Sequence, residues 1–232
     1  MSRIIYLHTT PEEPQQVRHV AVAQMNRIIY LHGFASGPTS KKATWFRDRF
    51  AARGIPIEIP DLAAGDFDHL TITGQLSVIE RAAKGEPVWL IGSSLGGYLA
   101  ALYAARHPEA ERLVLMAPAF NFIARWRERV GPDGMMRWKE TGKLAVEHYG
   151  DGRTHQLHYG LIDDGCEYEA YPGFPQPAIV FHGRKDEVVP PEYSITFAQQ
   201  HENVDLHLVD SGHELIDVLD EMWQKTEAFL AE

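Results

Sequence analysis

Cysteine, long apolar runs and positive charge are all scarce in this chain of 232 residues. Because Cys166 is its one cysteine, an internal disulfide is excluded, and we expect a reducing, cytoplasmic location. No apolar run reaches the ~18 residues of a membrane span, and the first residues lack the basic start and apolar stretch of a signal peptide. The net charge of −10 disfavours a nucleic-acid partner, which a basic surface would bind.

The apolar residues instead form short runs rich in Ile, Val and Leu, which are typical of strands buried on both faces. These runs lie at residues 27–32, 55–60, 87–92, 112–117, 178–183 and 204–209. Helical patterns fall between them, at residues 41–53, 72–83, 95–106, 191–200 and 214–230. The alternation predicts an α/β fold with a doubly wound, mostly parallel sheet, whose ligand crevice lies at the carboxyl ends of the strands.

One domain is predicted over residues 25–232, preceded by a segment of uncertain role. The hexapeptide at residues 3–8, Arg-Ile-Ile-Tyr-Leu-His, recurs at residues 27–32, where it runs into a loop with turn chemistry. We therefore take the second copy as the functional one. Residues 1–24 are either an extra edge strand or an extension before a natural start at Met25, and the sequence leaves both interpretations open.

A Gly-Ser-Ser-Leu-Gly-Gly segment at residues 92–97 is the most informative motif. It stands between an apolar run and a helical run, and a strand, Gly-x-Ser-x-Gly and a helix in succession are typical of a nucleophile elbow. Such a turn strains its central serine, which makes Ser94 the candidate nucleophile. The segment lacks the Gly-Lys-Ser/Thr end of a Walker loop and the Gly-x-Gly-x-x-Gly spacing of a dinucleotide site. Nucleotide binding is therefore not expected.

Two candidate partners for Ser94 stand just past later apolar runs, namely Asp186 and His213. The order serine, aspartate, histidine is the one expected for a nucleophile elbow on this kind of sheet. In that arrangement the histidine takes the serine proton, and the aspartate holds the imidazole in one tautomer. Glu187 competes with Asp186 for the acidic role, and with twelve histidines in the chain, position alone is a weak signal for any of them.

Acyl transfer also needs two donors for the oxyanion. We expect these to be the backbone N–H groups of Leu95, directly after the candidate nucleophile, and of Phe34, in the loop after the first strand. Gly33 allows that loop to approach closely. His32 precedes the loop, and we expect it to brace the loop rather than to act in catalysis.

The alternation of strands and helices stops between residues 119 and 177, which we interpret as a small cap insert of helix and hairpin. A hairpin is predicted within residues 156–169, turning at Asp164-Gly165. Most of the aromatic residues are expected to pack the insert onto the core. The substrate pocket over Ser94 is predicted to be lined by Phe34, Trp126, Met135, Trp138 and Tyr159.

The insert also holds a group of potential metal ligands, which comprises His148, Asp151, His155 and His158. Their spacing matches no standard zinc pattern. We therefore expect a polar surface there and no metal site.

These motifs together resemble those of the α/β-hydrolase superfamily. They are His-Gly-Phe at residues 32–34, Gly-Ser-Ser-Leu-Gly-Gly at 92–97, His-Gly-Arg-Lys-Asp at 182–186 and Gly-His at 212–213. The resemblance runs from about residue 27 to the end. More closely, the chain is similar to small serine esterases, including acyl-protein thioesterase-like members. That resemblance implies a small-molecule ester substrate with a modest acyl chain, and no cofactor.

The leading interpretation is a serine carboxylic ester hydrolase that acts on short- to medium-chain acyl esters through an acyl-enzyme. An acyl thioesterase is the alternative. A serine peptidase is disfavoured because a leaving amine needs more precise placement. A catalytically inactive binding protein also stays open, because fold does not fix function. The sequence makes no prediction of the oligomeric state.

Overall fold

A six-stranded parallel sheet is the centre of the structure, a computed structural model that describes residues 27–231. In chain order its elements are β1 (Arg27–Leu31), α1 (Lys41–Ala51), β2 (Ile57–Glu58), α2 (Ile72–Ala83), β3 (Val88–Ser93), α3 (Leu95–Ala104), β4 (Ala110–Met116), α4 (Phe122–Thr141), β5 (Lys143–His148), β6 (Arg153–His158), α5 (Gly160–Gly165), β7 (Ala178–Gly183), α6 (Pro191–Gln200), β8 (Val204–Val209) and α7 (Leu219–Ala231). Each predicted apolar run contains a strand, which confirms the doubly wound α/β fold. The predictions for residues 1–24 lie outside the described residues.

The strands form because their side chains are buried in two hydrophobic cores, one on each face of the sheet. In β1, Ile28 and Tyr30 join the core beneath α1 and α7, whereas Ile29 and Leu31 join the core beneath α2 and α3. All four side chains are at most 1% exposed. Burying a side chain of this kind contributes about 1.5–3 kcal/mol relative to leaving it in water. Burial on both faces explains why the strands are continuous apolar runs.

The order of the strands creates a crevice beside β1. The sheet runs β2-β1-β3-β4-β7-β8, so β2 lies on one side of β1 whereas β3 and all later strands lie on the other side. In sheets of this kind, ligands bind outside the carboxyl ends of the strands at such a switch point. The loops that follow β1 and β3 meet there, and parallel pairing brings the ends of β4, β7 and β8 to the same edge.

The insert at residues 119–177 contains a kinked helix, a hairpin and a short helix. The kink in α4 lies at Gly131, with φ 72° and ψ 165°, directly before Pro132. Proline lacks a backbone N–H and cannot continue a helix through its own position, so α4 is two helical segments. Strands β5 and β6 pair in antiparallel register beside the second segment.

The predicted position of the hairpin is wrong. The hairpin turns between His148 and Arg153, whereas Asp164 and Gly165 end α5. Gly165 serves close packing, since a Cβ there would lie 2.4 Å from the side chain of Ile123. Gly152 adopts the turn conformation instead, with a φ of 69° that suits glycine.

The last helix is shorter than predicted at its amino end. A left-handed residue, Leu215 with φ 55°, precedes a 3₁₀ turn at Ile216–Val218, and α7 begins at Leu219. Its apolar residues Met222 and Trp223 are nevertheless buried against the sheet, where they are 0% and 4% exposed. Over residues 27–231, no helix combines the length and the apolar character that a membrane crossing requires.

Candidate active site

Ser94 occupies the sharp turn between β3 and α3, with φ 54° and ψ −118°. A non-glycine residue in such a conformation stores about 1–3 kcal/mol of strain. Two glycines make the turn possible. A Cβ on Gly92 would lie 2.4 Å from the carbonyl oxygen of Gly96, and a Cβ on Gly96 would lie 2.1 Å from that of Leu31. The Ser94 N–H donates to the Met116 carbonyl at 2.8 Å, which ties the turn to β4.

The structure brings Ser94, Asp186 and His213 together from the ends of three strands. His213 Nε2 lies 3.1 Å from Ser94 Oγ, and His213 Nδ1 lies 2.7 Å from Asp186 Oδ2. The Asp186 side chain is fully buried, and that of His213 is 14% exposed. Glu187 is exposed, so Asp186 is the acid in contact with the imidazole. The arrangement has the geometry of a nucleophile, a base and an orienting carboxylate.

The loops that carry Asp186 and His213 are packed directly on each other. A Cβ on Gly183 would lie 2.4 Å from the carbonyl oxygens of both Ser211 and Gly212. The backbone N–H of Lys185 donates to the Ser211 carbonyl at 3.0 Å. This close contact sets the distance between the carboxylate and the imidazole.

Four donors surround the Asp186 carboxylate. Oδ1 accepts from the backbone N–H groups of Val188 and Val189 at 2.9 and 2.8 Å. Oδ2 faces His213 and, at 3.2 Å, Nε2 of His182. Burial opposes ionisation of Asp186, but the hydrogen bonds from His182 and His213 outweigh it and hold its pKa well below the ordinary value. The carboxylate is therefore ionised at neutral pH.

His182 is a part of the site to which the sequence analysis assigns no role. Its side chain is fully buried, with Nε2 also 2.9 Å from the Val189 carbonyl and Nδ1 2.7 Å from Ser194 Oγ. Both groups that face Nε2 are acceptors, so Nε2 carries the proton and Nδ1 accepts from the Ser194 hydroxyl. The signal in the sequence is a second histidine at the end of a predicted strand, four residues before Asp186.

The loop after β1 lies against the nucleophile. A Cβ on Gly33 would lie 3.4 Å from Ser94 Cβ and 4.0 Å from Oγ. His32 braces this loop, because its Nε2 accepts from the Leu62 N–H at 3.2 Å and its Nδ1 lies 3.0 Å from the Gly33 carbonyl. Burial lowers the pKa of His32. Within the described residues, no acceptor pairs with the backbone N–H of Phe34.

A mainly apolar pocket opens beside Ser94. It is lined by Phe34, Ala119, Phe120, Phe122, Arg125, Trp126, Arg129, Val188 and Val189. Phe34 and Trp126 are thus on its wall, as predicted, with ring centroids 5.3 Å apart.

Three residues predicted for the pocket do not line it, namely Met135, Trp138 and Tyr159. Trp138 packs behind Trp126 and against Tyr159, with ring centroids 5.4 and 5.5 Å apart, and its Nε1–H donates to the Leu157 carbonyl. Met135, like Trp138, follows the kink in α4 and joins the core. These three aromatic and apolar residues hold the insert together, and the pocket prediction is corrected for them.

Three of the four potential metal ligands in the insert lie together. The ligand atoms of His148, Asp151 and His155 are all within 4.8 Å of one another. They are hydrogen-bonded among themselves, and His155 Nδ1 also lies 2.8 Å from Asp68 Oδ1. His158 is outside this group and has its ring 5.5 Å from that of His69. In the hairpin, these bonds join β5 and β6 to the loop before α2.

The fold is similar to those of solved α/β-hydrolases. Alpha/beta hydrolase domain-containing protein 10 from mouse aligns with a TM-score of 0.74 at 20% identity, over 88% of this chain and 89% of that one. A protein from Agrobacterium vitis S4 aligns with a TM-score of 0.76 at 25% identity, over 89% and 88%. Est1E from Butyrivibrio proteoclasticus aligns with a TM-score of 0.69 at 20% identity, over 89% of each. These likenesses confirm the fold that the motifs predict.

A family model matches the same part of the chain. Its description is Uncharacterised protein family (UPF0227), and it matches residues 27–230. The matched segment runs from the first residue of β1 into α7, and so includes Ser94, Asp186 and His213, the pocket and the insert. The chain therefore belongs to the UPF0227 family, and its fold is that of an α/β-hydrolase.

Proposed function

We propose that the protein is a serine carboxylic ester hydrolase that cleaves short- to medium-chain acyl esters through an acyl-enzyme on Ser94. One observation carries the proposal. His213 lies within hydrogen-bond reach of both Ser94 Oγ and Asp186 Oδ2, at 3.1 and 2.7 Å. A serine hydroxyl is a weak nucleophile until an adjacent base removes its proton, and this geometry supplies the base and its orienting group.

The residues divide the chemistry between them. As Ser94 Oγ attacks the ester carbonyl, its proton passes to His213 Nε2, and the ionised Asp186 stabilises the imidazolium. When the tetrahedral intermediate collapses, the same proton moves to the leaving alcohol and the acyl group stays on Ser94. His213 then takes a proton from water, the hydroxide attacks the acyl carbonyl, and Ser94 leaves with that proton. The protons balance in every step with these residues and water alone.

The oxyanion hole is the second element of the proposal. The backbone N–H of Leu95 follows the nucleophile, and the backbone N–H of Phe34 lies in the loop packed against Ser94. Support comes from the close approach of Gly33 to Ser94 and from the free Phe34 N–H among the described residues. Each donor of this kind contributes about 10²–10³ in rate.

The apolar character of the pocket supports a hydrocarbon acyl group. Apolar side chains from α4 and from the loop after Asp186 form its walls, including Phe122, Trp126 and Val189. Apolar walls beside the nucleophile favour burial of hydrocarbon over a polar peptide chain. A small-molecule ester is therefore the proposed substrate, and a cytoplasmic location stays a prediction from the single cysteine.

The test is hydrolysis of p-nitrophenyl butyrate by wild type, Ser94→Ala and Ser93→Ala. We expect Ser94→Ala to lose at least about 10³ in kcat with unchanged melting temperature, and Ser93→Ala to stay active. A matched oxygen ester and thioester, and a series of acyl chain lengths, then define the preferred leaving group and the cutoff. A folded Ser94→Ala variant with wild-type activity would overturn the proposal.

A further inference from the structure

Two arginines stand on the wall of the pocket that holds Ser94. Arg125 and Arg129 are four residues apart in the first segment of α4, which places them on one face of the helix with Phe122 and Trp126. None of the residues that line this pocket is acidic. Since the whole chain carries a net charge of −10, a pocket with two cations and no carboxylate departs from the overall charge balance.

Arg125 is held in place by two hydrogen bonds, and its Nε–H has no partner. Its guanidinium donates to Glu128 at 2.7 Å and to the Val188 carbonyl at 3.1 Å, which links α4 to the loop after Asp186. Its Nε atom is buried and has no hydrogen-bond partner. A buried donor without a partner is unfavourable, so the hydrogen-bonding capacity of Arg125 is not fully used within the protein.

Arg129 is exposed, and among the described residues it makes neither a hydrogen bond nor an ion pair. Its planar, always charged guanidinium presents paired donors that match the oxygens of a carboxylate or a phosphate. Arg129 therefore offers free donors at the edge of a pocket whose wall also holds the guanidinium of Arg125, which is ion-paired with Glu128.

We propose that the preferred ester carries a negatively charged oxygen group, a carboxylate or a phosphate-like group, that binds Arg129 with Arg125 behind it. This inference rests on the proposed function, because it assigns the substrate class of the same site. The contact adds binding free energy only for esters that carry the anion. It makes the site selective between esters of the same length.

The experiment compares matched esters. Mono-(p-nitrophenyl) glutarate, with a charged acyl end, is compared with p-nitrophenyl valerate. 4-Carboxyphenyl and 4-phosphonophenyl butyrate, with a charged leaving group, are compared with phenyl butyrate after correction for leaving-group acidity. We expect at least one charged ester to be favoured about tenfold in kcat/KM, which corresponds to about 1.4 kcal/mol. The favoured ester identifies the anion and the side of the ester that carries it. The preference should weaken between 50 and 500 mM salt, since ions screen the contact.

Variants of the arginines show which residue causes the preference for the charged ester. Arg129→Gln should lower kcat/KM for the charged ester about tenfold more than for its neutral match, and Arg129→Lys should retain part of the preference. Arg127→Gln is the control, since Arg127 lies on the same helix but points to Cys166, 3.2 Å from its sulfur. Equal rates on charged and neutral esters, or equal effects of the Arg129 and Arg127 variants, would overturn the inference. Absence of Ser94-dependent cleavage of every ester would instead overturn the proposed function.

Discussion

Strands β3, β4 and β7 of the central sheet are almost entirely buried, whereas β5 of the insert alternates exposed and half-buried residues along its whole length. Ser94, Asp186 and His213 follow the ends of sheet strands, and the insert supplies most of the pocket wall. A rigid element holds groups that must meet within tenths of an ångström. In our proposal, the sheet thus fixes the chemistry and the insert selects the substrate.

The largest predicted effect is on kcat, and it distinguishes the buried acid Asp186 from its exposed neighbour Glu187. Asp186→Asn should lower kcat by about 10⁴, because an amide at this position favours the wrong imidazole tautomer. Glu187→Gln, one residue on, should stay within about twofold of wild type, because the Glu187 side chain is exposed and the imidazole contacts Asp186 instead. The measurement is steady-state hydrolysis of p-nitrophenyl butyrate, with circular dichroism as the control for folding. Equal loss of activity in both variants would contradict the assigned roles.

The next largest effect is on the free energy of unfolding, and it contrasts Gly96 beside the sheet with Gly160 in the insert. Gly96→Ala should destabilise the fold by at least about 3 kcal/mol, because its Cβ would overlap backbone that has no room to move. Gly160→Ala, at the start of α5, should change stability by no more than about 0.5 kcal/mol, since the nearest atom to its Cβ is 3.8 Å away. Urea unfolding measures both. Similar free energies of unfolding for the two variants would contradict the close approach of the Gly96 and Leu31 backbones at the elbow.

The smallest effect concerns two histidines whose pKa values shift in opposite directions. Burial lowers the pKa of His32 beside the sheet, whereas hydrogen bonds to Asp151 and Asp68 raise that of His155 in the insert. The stability linked to His32 is present above its unfolded pKa of about 6.5 and is lost as the pH falls through the folded value. The stability linked to His155 is present below about 6.5 and is lost as the pH rises through the folded value.

Urea unfolding of His32→Gln and His155→Gln at pH 5.5, 7.0 and 8.5 tests this contrast. The loss of stability should grow with pH for His32→Gln and shrink with pH for His155→Gln. Salt should weaken the His155 effect more, because that side chain is nearer to solvent. The same pH trend in both variants would contradict the two environments.

The sheet could be predicted from sequence because burial on both faces produces continuous apolar runs. The proximity of Ser94, Asp186 and His213 could be predicted because each follows such a run, and parallel strands bring their carboxyl ends to one edge. The contacts of His182 could not be predicted, because its partners Ser194 and Val189 approach it only in the folded chain.

The insert was harder to predict for physical reasons. Three Asp-Gly pairs, at residues 133–134, 151–152 and 164–165, carry the same turn signal, and only one of them makes the hairpin turn. Packing decides that Gly165 lies against Ile123 while Gly152 makes the turn. The kink at Gly131 separates residues that line the pocket, such as Trp126, from residues that pack behind it, such as Trp138. Composition alone does not distinguish these two tryptophans.

The most direct measurement is the mass of the protein after reaction with a fluorophosphonate, followed by peptide mapping. A serine activated by His213 should attack the phosphorus and expel fluoride, leaving one phosphonyl adduct on Ser94. The adduct should be absent in Ser94→Ala and much slower to form in His213→Ala. A folded wild-type protein that forms no adduct, or that is modified at Ser93 instead, would contradict the assignment of Ser94 as the nucleophile.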